Sequence, residues 1–342
     1  MREYLFVIVV AAIVTYAATP LMRSLALRLH AFTPVRDRDV HTVPIPRLGG
    51  VAMFLGFLAA GLVASKLPFL QQVFTKNEIW GIMAAGAVVC LVGAIDDVHD
   101  LDPLTKLGGQ LLAAGVMALA GVQLFSLPFG EATVLPAPIL VFLTIFTVVV
   151  TTNAVNFVDG LDGLAAGIVC IAAVSFFVYT YLISRSYSPA NVFTSAAFVS
   201  AALIGVCLGF LPHNIYPARI FMGDSGSLFL GLTLAASSIL LTGTVTGADV
   251  VADPVLAVVL PLLVPFAIVI LPLLDVVLAV VRRTRAGRRP WSPDAQHLHH
   301  RMLKIGHGHR RAVLLLWLWA AVAAFGPVSF VFLPPATAAL AV

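Results

Sequence analysis

Polar positions in this chain are gathered into short clusters, and between the clusters lie long apolar runs. Ten runs stand out: Leu5 to Thr19, Leu48 to Ser65, Ile79 to Ile95, Leu107 to Val122, Ala137 to Thr151, Leu164 to Ile183, Val192 to Leu211, Ser225 to Leu241, Val255 to Val281 and Val313 to Leu333. Crossing a hydrocarbon core of roughly 30 Å takes about 20 residues of helix, and several runs sit near the lower limit. Only a helix or a closed barrel can satisfy its backbone in lipid. The pattern therefore predicts an all-α, polytopic integral membrane protein of about ten transmembrane helices. It forms one membrane-embedded domain over residues 1–342, with inner connections at about 20–47, 96–106, 152–163, 212–224 and 282–311. Pro261, Pro265 and Pro272 predict a bent ninth span.

Composition agrees: 60% of residues are hydrophobic, 11% are charged and the mean hydropathy is +1.02, which excludes a soluble domain. Of the 20 Lys and Arg residues, 16 fall on one set of alternate connections, leaving Arg2, Lys66, Lys76 and Arg185 for the other. The rich side is cytoplasmic by the positive-inside rule, with both termini outside. The net charge of +4 thus reflects topology and contact with anionic membrane lipid, and implies no nucleic-acid partner. Tyr16-Ala17-Ala18 offers small residues near a cleavage point, but Arg23 and Arg28 follow the first apolar run, which suits an uncleaved span. Cys90, Cys170 and Cys207 lie inside separate runs and read as buried hydrophobes.

All nine histidines lie in or beside the inner connections, so chemistry is expected on that face. Four segments carry it. In Asp96-Asp97-Val98-His99-Asp100, followed by Lys106, adjacent carboxylates at a helix end could share a divalent cation with substrate phosphates or simply be solvated. In the stretch from Thr152 to Ala165, Asn153, Asn156, Asp159 and Asp162 recur every three residues, with Gly160 and Gly163 after the acids. They place hard oxygen ligands on a turn; the alternative is a pair of Asx-turns.

Phe221-Met222-Gly223-Asp224-Ser225-Gly226-Ser227 opens the eighth span, with Asp224 placed as a helix N-cap, a metal ligand or both. Phe221 suits an interfacial anchor or a stacking platform. The last inner connection, Arg282 to Arg311, holds His297, His299, His300, Arg301, His307 and His309. These suit capture of a diphosphate, or of lipid headgroups; zinc is disfavoured, since no Cys is nearby. Oxygen ligands, cations, glycine turns and an aromatic together describe phosphoryl chemistry at a membrane surface.

At these residues the chain resembles the polyprenyl-phosphate N-acetylhexosamine-1-phosphate transferases, from Pro46-Arg47-Leu48-Gly49-Gly50 to Arg311. The double Asp, Asn153-Ala154-Val155-Asn156-Phe157-Val158-Asp159-Gly160-Leu161-Asp162-Gly163-Leu164-Ala165, Phe221-Met222-Gly223-Asp224-Ser225-Gly226-Ser227-Leu228 and the His loop occur in family order. The resemblance implies transfer of a sugar 1-phosphate from a UDP-sugar to a polyprenyl phosphate at a bacterial cell membrane. It also implies Mg²⁺, which Mn²⁺ could replace, and allows a homodimer. By resemblance, Asn156 and Asp224 form the metal neighbourhood, and Asp96, Asp97, Lys106, Asp159, His297 and His299 form the catalytic and phosphate-binding set. Gly160, Asp162, Phe221, His300 and Arg301 contact substrate, with Asp162 at the uracil edge.

His297-Leu298-His299-His300 after Asp294-Ala295-Gln296 is similar to the GlcNAc-1-phosphate branch, so UDP-GlcNAc is the expected donor. The phospho-MurNAc-pentapeptide transferase of peptidoglycan synthesis is the alternative. A transporter is the rival class, but it would place polar groups near the midplane in repeated halves, which this sequence lacks. Asp275, an acid within the ninth run, is a further candidate.

Overall fold

The computed structural model describes residues 1–33, 44–124, 136–186, 192–244 and 308–332, with isolated positions at 281, 284, 285 and 287. The ninth apolar run and the candidates His297, His299, His300 and Arg301 lie outside the described residues. All nine predicted runs within them form helices: α1 (Arg2–Arg28), α2 (Gly49–Ala64), α3 (Glu78–His99), α4 (Pro103–Leu119), α5 (Ala137–Val158), α6 (Leu164–Ser186), α7 (Ser195–Asn214), α8 (Gly223–Thr244) and α9 (His309–Phe332). The remaining regular structure described is a 3₁₀ turn at Gln71–Phe74 and a two-residue antiparallel pairing of β1 (Phe32–Thr33) with β2 (Ile45–Pro46).

Six of these helices, α1, α3, α5, α6, α7 and α8, are long and apolar enough to cross a bilayer. Large apolar side chains also face outward, Ile13 at 62%, Leu112 at 61% and Leu119 at 89% exposure among them. Those surfaces suit lipid and would be a liability in water. The protein is a polytopic helical membrane protein.

Helix α8 is the centre of the bundle, buried at every residue from Ser225 to Thr242 and packed by α2, α3, α5, α6 and α7. Lipid supplies little hydrophobic drive between helices, so close backbone approach takes over. On α7, Gly205 and Gly209 lie one turn apart against α1, where an added Cβ would stand 2.4 Å from the Ile8 carbonyl oxygen and 2.3 Å from that of Ala12.

Two helices run further than their apolar stretches. α3 continues past Ile95 to His99, and α5 continues past Thr151 to Val158, so Asn153 and Asn156 belong to the last turns of a helix and not to a connecting turn. The cause is local. Asn153 Nδ2 returns a hydrogen bond to the Val149 carbonyl one turn back (2.8 Å), and Asn156 Nδ2 is taken by Asp224 and Ser227 of α8, so both side-chain amides are engaged with the helical ladder left intact. α3, α5 and α7 end, and α4, α6 and α8 begin, at one end of the bundle. The chemical residues collect there.

Candidate active site

The site is built around the first turn of α8. Its entry needs a left-handed residue, supplied by Gly223 at φ +66°, and an added Cβ there would overlap the Asp97 carboxylate. Gly93 on α3 brings the two helices together, since a Cβ in its place would stand 2.4 Å from Ser225 N and 2.5 Å from the Asp224 carbonyl carbon. At this distance Asp97 accepts hydrogen bonds from Asp224 N (2.8 Å), Ser225 N (3.2 Å) and Ser225 Oγ (2.9 Å). A buried carboxylate from α3 thus caps α8. Of the two roles open to Asp224 in the sequence, capping falls to Asp97, because the α3–α8 approach delivers that carboxylate to the exposed N–H groups.

Asp224 is free to turn elsewhere. Its Oδ2 meets Lys106 Nζ at 2.5 Å, and its Oδ1 accepts from Asn156 Nδ2 at 3.1 Å. Asn156 Nδ2 also reaches Ser227 Oγ at 2.8 Å. The same Lys106 ammonium lies 2.9 Å from Asp96 Oδ2, and Asp96 Oδ1 takes the Leu101 N–H at 2.9 Å. Adjacent residues on α3 therefore diverge, Asp96 to Lys106 and Asp97 to the α8 backbone. Asp102 starts α4 by accepting from Leu104 N and Thr105 N, both at 3.0 Å, which places Lys106 in the first turn. Burial works against the charge on Lys106, but the bonds it donates to Asp224 and Asp96 outweigh it and its pKa is raised.

Beneath this cluster α4 and α5 are tied by an amide pair: Asn153 Nδ2 donates to Gln110 Oε1 at 2.6 Å, and Gln110 Nε2 to Asn153 Oδ1 at 3.4 Å. Gln110 is buried, one turn from Lys106, and Asn153 is one turn from Asn156. Nothing in the local motifs marks Gln110; its only signal is an amide inside an apolar run.

Asp159 closes α5. Part of its surface stays open, yet the surrounding protein, and then the charges of Asp224, Asp97 and Asp162, push its carboxyl up to about 7 against the opposing pull of Arg47. Arg47 itself lies on a pinned backbone: Arg47 N donates to Ala31 O (3.0 Å), Phe221 N to Pro46 O (2.9 Å) and Gly49 N to Phe221 O (3.0 Å). This second cation of the site belongs to the Pro46–Gly50 stretch of the family resemblance, which gave it no role.

Gly160 is exposed and Phe221 half-buried at the mouth. Asp162 is buried, and its Oδ2 accepts from Ala218 N at 2.9 Å. Asn214, which no motif singles out, binds Gly163 N and the Ile220 carbonyl, both at 3.0 Å. The 160–163 and 215–222 connections are thus held together by two buried side chains. α9 joins them, with His309 stacked on Tyr216 at 4.4 Å and Arg310 Nη2 donating to Tyr216 O at 3.3 Å.

Among the described residues, no three His, Cys, Asp or Glu side chains form a ready metal cage. A cation here would meet the carboxylates of Asp96 and Asp224 and the amide of Asn156, and would complete its shell with water or substrate oxygens. That donor set fits Mg²⁺, which keeps waters and takes one or two protein carboxylates.

Residues 79–242 match the family model described as Glycosyl transferase family 4. The decaprenyl-phosphate N-acetylglucosaminephosphotransferase of Mycolicibacterium smegmatis is 45% identical over 345 residues, covering 99% of this chain and 85% of the relative. The chain belongs to this family. Within glycosyl transferase family 4 it is also 30% identical over 295 residues to the undecaprenyl-phosphate alpha-N-acetylglucosaminyl 1-phosphate transferase of Escherichia coli, covering 84% of this chain and 73% of the relative. The phospho-N-acetylmuramoyl-pentapeptide-transferase of Desulforudis audaxviator is 32% identical over 335 residues, with 90% and 92% covered. The family model spans α3 to α8, the helices that carry Asp96, Lys106, Asn156 and Asp224.

Proposed function

We propose that this protein transfers GlcNAc-1-phosphate from UDP-GlcNAc to a polyprenyl phosphate, giving polyprenyl-diphospho-GlcNAc and UMP. The reading places the reaction on the cytoplasmic face of a bacterial cell membrane, in a chain of about ten spans. The observation that carries it is the 45% identity over 99% of the chain to a decaprenyl-phosphate N-acetylglucosaminephosphotransferase. The convergence of Asp96, Lys106, Asn156 and Asp224 at one end of the bundle supports it.

In this reaction an oxygen of the polyprenyl phosphate forms a bond to the β-phosphorus of the UDP-sugar. The bond from that phosphorus to the bridging oxygen breaks, and UMP leaves with the oxygen. All reacting groups are anionic, so the protein's task is to hold them in line and offset their charge. Mg²⁺, bound through Asp224, Asn156 and Asp96, would supply Lewis-acid charge to the phosphates. Lys106 and Arg47 contribute the protein's own cations, and Asp159, pushed up to about 7, is suited to take up or release a proton near neutrality. Gly160, Asp162 and Phe221 stand on connections held together by Asn214 and would receive the uridine. A lipid acceptor explains why the chemistry sits at helix ends, where a phosphate headgroup and an apolar tail are both accommodated.

The test is an assay of purified full-length protein with polyprenyl phosphate and either UDP-GlcNAc or UDP-MurNAc-pentapeptide, with and without Mg²⁺. UMP release with UDP-GlcNAc and Mg²⁺ is expected. Release from neither donor would overturn the transferase reading. Release from the pentapeptide donor alone would reverse the sugar, and release without a divalent cation would remove the metal.

A further inference from the structure

Lys106 bridges two carboxylates that come from elements far apart in sequence, Asp96 Oδ2 on α3 and Asp224 Oδ2 on α8. In charge and in place this ammonium resembles a bridging cation. The other oxygen of each acid is already engaged, Asp96 Oδ1 by the Leu101 N–H and Asp224 Oδ1 by Asn156. The oxygens that would turn to a metal are therefore the ones Lys106 holds. We propose that Lys106 and the divalent cation compete for this one position, so that metal binding displaces the ammonium and delivers it to the substrate phosphates.

This deepens the proposed function and rests on its metal. The two occupants cannot coexist between the same oxygens, because Mg²⁺ binds at about 2.0–2.1 Å and would stand within a few ångströms of a like charge. Of the groups involved Lys106 is the one able to leave: its side chain is 25% exposed on a flexible four-carbon stem, whereas both acids are also held through their second oxygens. The exchange has a consequence for charge. Two carboxylates and Lys106 sum to one negative charge, an unfavourable field for a diphosphate. With the cation in place the carboxylates are neutralised and the ammonium becomes an added positive charge facing the mouth. Metal binding and capture of the phosphates are then favourably coupled through Lys106, a coupling that works in both directions.

The test is titration of Mn²⁺, observed by its own paramagnetic signal, and of Mg²⁺ in competition with it, into the substrate-free full chain. Lys106→Met and Lys106→Gln, which remove the competing charge, should bind the metal at least about tenfold more tightly than the unaltered protein. Lys106→Arg, which keeps it, should not. Binding by the Met and Gln variants that is equal to or weaker than that of the unaltered protein would overturn the inference, as would absence of metal binding throughout. Tighter binding in both neutral variants, in a protein that releases no UMP from any donor, would support the competition while overturning the proposed reaction. The binding measurement and the transfer assay can therefore fail independently.

Discussion

Asp97→Ala separates the scaffold of this site from its chemistry. The carboxylate accepts three hydrogen bonds from the start of α8, at 2.8, 2.9 and 3.2 Å. The Ser225 hydroxyl has a second acceptor in Met222 O at 3.1 Å, so its removal from Asp97 leaves it satisfied. The N–H groups of Asp224 and Ser225 lose their partner in a buried setting. Hydrogen bonds to a charged acceptor contribute about 1.5–3 kcal/mol each, so two lost together cost on the order of 3–6 kcal/mol. Asp97→Asn should cost about 1–2 kcal/mol, since one side-chain oxygen still accepts while the charge facing the helix dipole is gone. Melting of the purified protein in detergent should fall on the order of 5 °C for the Ala variant and less for Asn. UMP release should fall with it, because the first turn that aims Asp224 at Lys106 loosens. Asp96→Asn is the contrast: it weakens one contact to Lys106, leaves the α8 cap intact, and should lose activity with little change in melting. If both Asp97 variants abolish UMP release yet melt within about 1 °C of the unaltered protein, Asp97 is a reacting group and the capping argument fails.

Gly93→Ala places a Cβ against backbone that cannot rotate away and should cost about 1–3 kcal/mol by thermal melting. Gly108→Ala on α4, with nothing within 4 Å of the added carbon, should be neutral or stabilising. Gln110→Ala and Asn153→Ala should be non-additive in a double-mutant cycle of melting free energies, coupled by about 0.6–1.7 kcal/mol; strict additivity would refute the amide tie. For Asp159, with its folded pKa raised to about 7, the folded state binds a proton more tightly than the unfolded chain. Its contribution to stability is present below the ordinary carboxylate range and is lost as pH rises towards 7. Asp159→Asn should flatten that part of a pH-dependent melting profile, and an unchanged profile would refute the assignment.

Much of the site was legible because its residue types are costly inside a membrane and therefore stand out against apolar neighbours. Asp96, Asn156 and Asp224 were marked by their chemistry and spacing, their roles and that of Lys106 came from the family resemblance, and the helices bring all four to one point. The division of labour between Asp96 and Asp97 was not legible. Neighbouring residues on a helix point about 100° apart, and which one meets α8 depends on a packing angle no local pattern encodes. Gln110 escaped for a related reason, since a single amide in an apolar run says that a partner exists without saying where, and Asn214 lies in the predicted 212–224 connection, outside every motif. Asp162 shows the opposite case: its motif marked it for substrate, and the structure adds a hydrogen bond to Ala218 N that the motif did not indicate.

The start of α8 accounts for why fold and chemistry share residues here. A central helix beginning inside a membrane protein exposes N–H groups that lipid cannot satisfy, and a buried acid from another helix is an effective remedy. Once α3 supplies that acid as Asp97, the adjacent Asp96 is carried to the same place on a rigid element, and the first-turn Asp224 is released from capping and held near the positive end of the helix dipole. A second tie, Gln110 to Asn153, brings Lys106 and Asn156 onto that carboxylate from the other side. The polar groups that would hold phosphates are thus the neighbours, one residue or one turn away, of the groups that hold the bundle together. Exchange at the site then falls to Lys106, which reaches Asp96 and Asp224 from a flexible four-carbon stem, whereas Asp96 is also bonded to the Leu101 N–H, Asp97 to the α8 backbone and Asn156 to Ser227.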